Sequence, residues 1–80
     1  MLMVEVILYA TLAVYVPGAK AGSPVRMEVE EGETVLQLLC RLKVPPEKVK
    51  LVFVNGIQRE TGYILQNNDR VGIFPPIAGG

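Results

Sequence analysis

Residues 25–46, VRMEVEEGETVLQLLCRLKVPP, change their apolar period partway along, and that change decides the fold. Val25, Met27 and Val29 alternate with Arg26, Glu28 and Glu30, so one face is apolar and the other charged, the pattern of a half-buried strand. From Thr34 onward the spacing becomes helical. Val35, Leu38, Leu39 and Leu42 fall at i, i+3, i+4 and i+7, giving one apolar stripe that must pack on something. Thr34 and Gln37 form a capping box, and Glu31 and Glu33 put negative charge near the positive helix end. Pro45-Pro46 is the predicted stop, because proline cannot continue a helix.

Toward the N-terminus, Val4, Val6 and Leu8 alternate with Glu5, Ile7 and Tyr9, which predicts a strand over 3–9 with Tyr9 on its outer face. Residues 10–16 read equally as a short helical turn or as extended chain. Pro17-Gly18 and Gly22-Ser23-Pro24 then mark a loop, so the first two strands are expected to pair as a hairpin. Toward the C-terminus, Leu51–Val54 is a third strand, Asn55-Gly56 a tight turn, and Ile57-Gln58 a resumption of pairing. The polar turn Asn67-Asn68-Asp69 leads into a last strand over Val71–Phe74.

Two strands, a helix and further strands fit an α+β fold in which a mixed sheet of four or five strands wraps one main helix, the ubiquitin-like β-grasp arrangement. In that topology the first and last strands are parallel neighbours at the sheet centre. A β-grasp domain over 1–75 is expected, with 76–80 as a flexible Gly-Gly tail. The inward parities predict a core of Val4, Val6, Leu8, Val25, Met27, Val29, Val35, Leu38, Leu39, Leu42, Val52, Val54, Val71 and Ile73. The opposite parity turns Tyr9, Phe53 and Phe74 outward, and three aromatics on one solvent face point to a docking surface.

Eighty residues suffice for one core, with no room for a second catalytic domain, and eight basic residues balance eight acidic ones. No attraction for nucleic acid is implied. Cys40 is the only cysteine and histidine is absent, which removes an internal disulfide, four-cysteine metal sites, and triads or dyads built on histidine. Cys40, at the flank of the helix stripe, is read as a packing residue and not as a relay thiol. Glu28, Glu30, Glu31 and Glu33 are read as a solvated edge and helix-start charge, with an acidic docking patch as the alternative. The first sixteen residues are nearly all apolar and precede Ala19-Lys20-Ala21, a small-x-small pattern. No basic residue precedes that run, Glu5 interrupts it, and it is too short for a membrane span, so a strand is expected there.

The ending Asp69-Arg70-Val71-Gly72-Ile73-Phe74-Pro75-Pro76-Ile77-Ala78-Gly79-Gly80 resembles that of the MoaD/ThiS sulfur carriers, and its FPP-x-AGG part resembles the small subunit of molybdopterin synthase. The likeness extends in element order over the chain, through Leu8-Tyr9-Ala10, Val54-Asn55-Gly56 and Asn68-Asp69-Arg70-Val71. The segment Ala13-Val14-Tyr15-Val16 departs from the charged residues often found after the first strand of such proteins.

The resemblance implies that the carboxylate of Gly80 is adenylated by an ATP-dependent, ubiquitin-activating-type enzyme, converted to a thiocarboxylate, and used as a sulfur donor. It also implies a cytoplasmic carrier that is not itself an enzyme, binds no cofactor or metal, and touches neither nucleic acid nor membrane. Its partners would be that activating enzyme, which uses the ATP, and an acceptor such as the large subunit of molybdopterin synthase. A carboxylate is a poor acyl donor, so it must become a mixed anhydride with AMP before sulfur can displace the activated oxygen. The sequence has no Gly-rich phosphate loop, so that machinery would belong to the partner. Gly79 and Gly80 lack side chains and suit a narrow channel, while Pro75 and Pro76 stiffen the exit. Conjugation through Gly80 to a lysine, and a docking module with no tail chemistry, are the other function classes.

Overall fold

The computed structural model describes residues 1–76. Its strands are β1 (Leu2–Leu8), β2 (Pro24–Val29), β3 (Leu51–Val54), β4 (Ile57–Gln58) and β5 (Arg70–Phe74), with one α-helix, α1 (Val35–Arg41). They form a single mixed sheet in the order β2-β1-β5-β3-β4. β1 and β5 run parallel at the centre, and the other pairs are antiparallel. This is the β-grasp topology that the element order predicts.

The first strand covers 2–8, one residue earlier than the 3–9 expected. Tyr9 instead caps a 3₁₀ helix over Ala10–Tyr15, which resolves the ambiguous segment as a helical turn. Ala10 takes φ 52°, and the turn closes with the Leu12 N–H donating to the Tyr9 carbonyl.

α1 begins at the predicted capping box. Thr34 Oγ1 accepts from the Gln37 N–H, and Gln37 Oε1 accepts from the Thr34 N–H. The remaining N-terminal amides are served by the loop before β5: Val35 N–H donates to the Tyr63 carbonyl and Leu36 N–H to that of Thr61. Pro45-Pro46 does not stop the helix, which ends at Arg41. The terminator is Lys43 at φ 62°, with Lys43 N–H bonded to the Cys40 carbonyl and Val44 N–H to that of Leu39, a Schellman closure. Pro46 starts a separate 3₁₀ turn, Pro46–Lys48.

All the predicted core residues are buried except Val25, Met27 and Leu42, which are half-buried. β2 is an outer strand of the sheet, so the first two lack a neighbour on one side, and Leu42 lies just past the end of α1. Leu12, Ala13, Val44 and Leu65, from connecting segments, complete the core. Cys40 is exposed, not a packing residue, because the stripe of α1 is covered by Val35, Leu38 and Leu39 alone. No helix of the described residues is long and apolar enough to cross a membrane.

Candidate functional site: the aromatic face beside the C-terminal exit

The exit is set by β5. Its N-terminal approach is fixed by Asp69, which is buried and accepts hydrogen bonds from Asn55 Nδ2 (2.8 Å), Tyr63 Oη (3.0 Å) and the Gln66 N–H (2.8 Å). Asn55 and Gly56 take φ 54° and 83°, a turn that closes the β3–β4 hairpin. The Asn55 side chain adds a second role, since its Oδ1 accepts the Arg70 N–H at 2.9 Å and ties the turn to the start of β5. Burial and the Asp69 carboxylate raise the Tyr63 phenol above its ordinary pKa of 10.0, partly offset by Arg59.

From there β5 is held on both sides. Tyr9 N–H donates to the Ile73 carbonyl at 3.0 Å, and Lys50 N–H to the Phe74 carbonyl at 2.8 Å. The chain therefore leaves from a strand bonded through its last residue. Pro75 is half-buried and Pro76 exposed. Ile77, Ala78, Gly79 and Gly80, and with them most of the expected 76–80 tail, lie outside the described residues.

The sheet face away from α1 carries Tyr9, Phe53 and Phe74 together. Tyr9 and Phe74 stack with ring centroids 4.1 Å apart and planes 6° apart, and Phe53 meets Phe74 edge-on at 5.6 Å and 82°. Each is half-buried, not fully exposed, because the rings cover one another and the strand beneath. Ile7, Gly72 and Phe53 lie in one row across β1, β5 and β3. Gly72 lies beneath the rings, where a Cβ would sit at ordinary contact distance, 3.4 Å from Tyr9 Cε2 and 3.5 Å from Phe74 Cε1. Ile7, read as outward, is buried in this layer. Both residues escaped the sequence reading, although a glycine inside a strand pattern signals close approach.

A charged rim borders the apolar surface. Arg70 Nε lies 3.6 Å from Glu5 Oε1 across the β1–β5 pair, with Arg70 exposed and Glu5 half-buried. Such a surface pair adds little stability. The acidic run is only partly solvated: Glu28, Glu30 and Glu31 are exposed, but Glu33 bonds Arg41 Nε at 3.1 Å. Among the described residues no group of three or more potential ligands is placed to hold a metal ion.

A helix grasped by a mixed sheet, with a C-terminal segment issuing from its central parallel pair beside an apolar face, defines a ubiquitin-like β-grasp protein. The chain belongs to the ThiS family, whose model matches residues 12–80. Among solved structures it is similar to SAMP1 from Haloferax volcanii, at 26% identity and a TM-score of 0.71, covering 98% of this chain and 99% of that one. A Pyrococcus furiosus protein described as a putative molybdopterin converting factor, subunit 1, shares 24% identity with a TM-score of 0.69, over 96% of this chain and 100% of the other. Caldiarchaeum subterraneum ubiquitin shares the fold at 16% identity and a TM-score of 0.59, covering 99% and 98%. No curated protein matches the sequence significantly.

Proposed function

We propose that this protein is a cytoplasmic sulfur carrier whose reacting group is the carboxylate of Gly80. An ATP-dependent activating enzyme joins that carboxylate to AMP with loss of pyrophosphate, and sulfide-level sulfur, as hydrosulfide, then displaces AMP to leave a thiocarboxylate. An acceptor enzyme takes the sulfur, and synthesis of the molybdenum or tungsten pterin is the favoured destination, ahead of the thiazole of thiamine. The chain itself is co-substrate, and ATP is bound by the activating enzyme.

What carries the reading is the exit of β5. Hydrogen bonds from Tyr9 and Lys50 reach its last two residues, directly beside the stacked Tyr9–Phe74 pair. A strand fixed on both sides presents the residues that follow it at a defined point, and the apolar face gives a partner something to grip while the tail enters its active site. The ThiS family match, which runs to residue 80, supports the same reading. With one face beside one tail, the activating and acceptor enzymes bind in turn. Deleting Gly80, or adding one residue after it, abolishes carrier activity while the circular dichroism spectrum and melting temperature stay unchanged. Full activity of either variant rejects the reading.

The likeness to SAMP1, described for a second structure as small archaeal modifier protein 1, favours one alternative, in which the activated Gly80 is joined to a lysine of a target protein. The two readings share the adenylate and part after it. Isopeptide-linked conjugates in cell extracts would mark the modifier; a thiocarboxylate without conjugates marks the carrier.

A further inference from the structure

The edge formed by β2 is open in its middle and closed at both ends. Tyr9 and Glu5 direct their N–H groups to β5 residues or the turn before it, whereas the Leu8 carbonyl accepts from Gly22 on the other side. Even-numbered residues of β1 therefore bond toward β2. Given the register Val4↔Met27 and Val6↔Val25, the main-chain groups of Val25, Met27 and Val29 are spent on β1. Those of Arg26 and Glu28 face outward. Beyond them the edge is blocked: the Glu30 N–H donates to Glu33 Oε1 at 3.0 Å, and Pro24 has no N–H. The Glu28 carbonyl accepts Arg41 Nη2 at 2.8 Å and keeps its second lone pair.

We propose that this edge pairs with the same edge of a second copy, antiparallel about a two-fold axis through Met27, joining two five-stranded sheets into one. The register follows from charge. With Met27 opposite Met27, Arg26 stands opposite Glu28 of the second copy, and this happens twice. A shift of two residues either way sets Arg26 against Arg26 or Glu28 against Glu28, and like charges directly opposed are unfavourable. A shift of one residue sends the helices to opposite faces. Both side chains are exposed, and neither has an ion-pair partner among the described residues.

The same pairing sets Val25 against Val29 of the second copy on the helix side. It covers Val25 and Met27, which the fold leaves half-exposed at this edge despite their inward parity. β5 lies beyond β1 in the sheet order, so Phe74 and the exposed Pro76 remain accessible in the dimer.

Sedimentation equilibrium and amide exchange on the full chain, over a concentration series reaching millimolar protein, test the proposal. A dimer should form as concentration rises, with the Arg26 and Glu28 amides becoming protected. Arg26→Glu and Glu28→Arg should each weaken self-association about tenfold. An equimolar mixture of the two variants should recover it as a heterodimer, because each introduced charge then stands opposite one of the other sign. A cooperative melt for both variants establishes that they fold, with a small loss expected for Arg26→Glu because residue 26 also stands opposite Glu5 of its own chain. A monomer at every concentration, a dimer that leaves those two amides unprotected, or variants that associate like the wild type would overturn the proposal.

Discussion

The rings of Tyr9 and Phe74 lie parallel, 4.1 Å apart, across the one parallel strand pair in the sheet. Tyr9 follows the end of the first strand and Phe74 ends the last, so the contact forms only when both chain ends have reached the sheet centre. It ties the proposed docking face to the completed fold.

Phe74→Ala should therefore act in two ways. Loss of the stacked and edge-on contacts should cost about 1–2 kcal/mol of stability. Affinity for both the activating and the acceptor enzyme should fall more than that, because the central anchor of the face is gone. Calorimetric titration with each enzyme, alongside a urea unfolding curve, separates the effects, and unchanged affinity for both would place docking elsewhere.

Gly72 tests whether ring placement matters apart from ring identity. Gly72→Ala adds a methyl at ordinary contact distance from Tyr9 and Phe74 and should change stability by less than about 1 kcal/mol. Gly72→Val has further methyl groups to place beneath the rings and should disturb their stacking. Tyrosine fluorescence and partner affinity should both change in the valine variant and hardly in the alanine one.

Asp69 accepts three hydrogen bonds in a buried site, so Asp69→Ala leaves the Asn55 amide and the Tyr63 hydroxyl without that partner and should cost about 2–4 kcal/mol. Tyr63 adds a pH signature. Its phenol is raised in the folded state, so the unfolded chain loses that proton first as pH rises through 10.0. The stability is present below that pH and is lost as pH climbs toward the folded-state value. Denaturant midpoints measured from neutral pH upward should show this decline in the wild type and a shallower one in Tyr63→Phe.

Lys43 holds the left-handed position that closes α1, where glycine carries no Cβ penalty. Lys43→Gly should raise stability by roughly 0.5 kcal/mol, readable as a higher melting temperature. Leu39→Ala, at a fully buried position of the same helix, should lower it by about 2–5 kcal/mol.

Strand parity and the capping box were legible because each rests on neighbours in sequence: alternation placed Val4, Val6 and Leu8 inward, and Thr34 with Gln37 started α1 where expected. Parity alone also brought Tyr9, Phe53 and Phe74 to one face. What escaped depends on residues distant in the chain. Leu65 and Val44 belong to no periodic segment, and they are core because connecting loops fold onto the helix. Val25 and Met27 have inward parity but lie in an outer strand, and sheet order is not written in a strand's own residues. The stop at Lys43 uses a residue type with no special preference for its conformation, so the prolines downstream drew the boundary too late.

Transfer of sulfur to the carboxylate of Gly80 is readable by intact mass spectrometry. The full chain is incubated with its activating enzyme, ATP and a sulfur donor, and its mass is compared with that of a sample lacking ATP. Exchange of one carboxylate oxygen for sulfur adds about 16 Da, and fragmentation should place the gain on the residue at position 80. An unchanged mass in the presence of an enzyme that forms the adenylate, or a gain located anywhere but Gly80, would contradict the account.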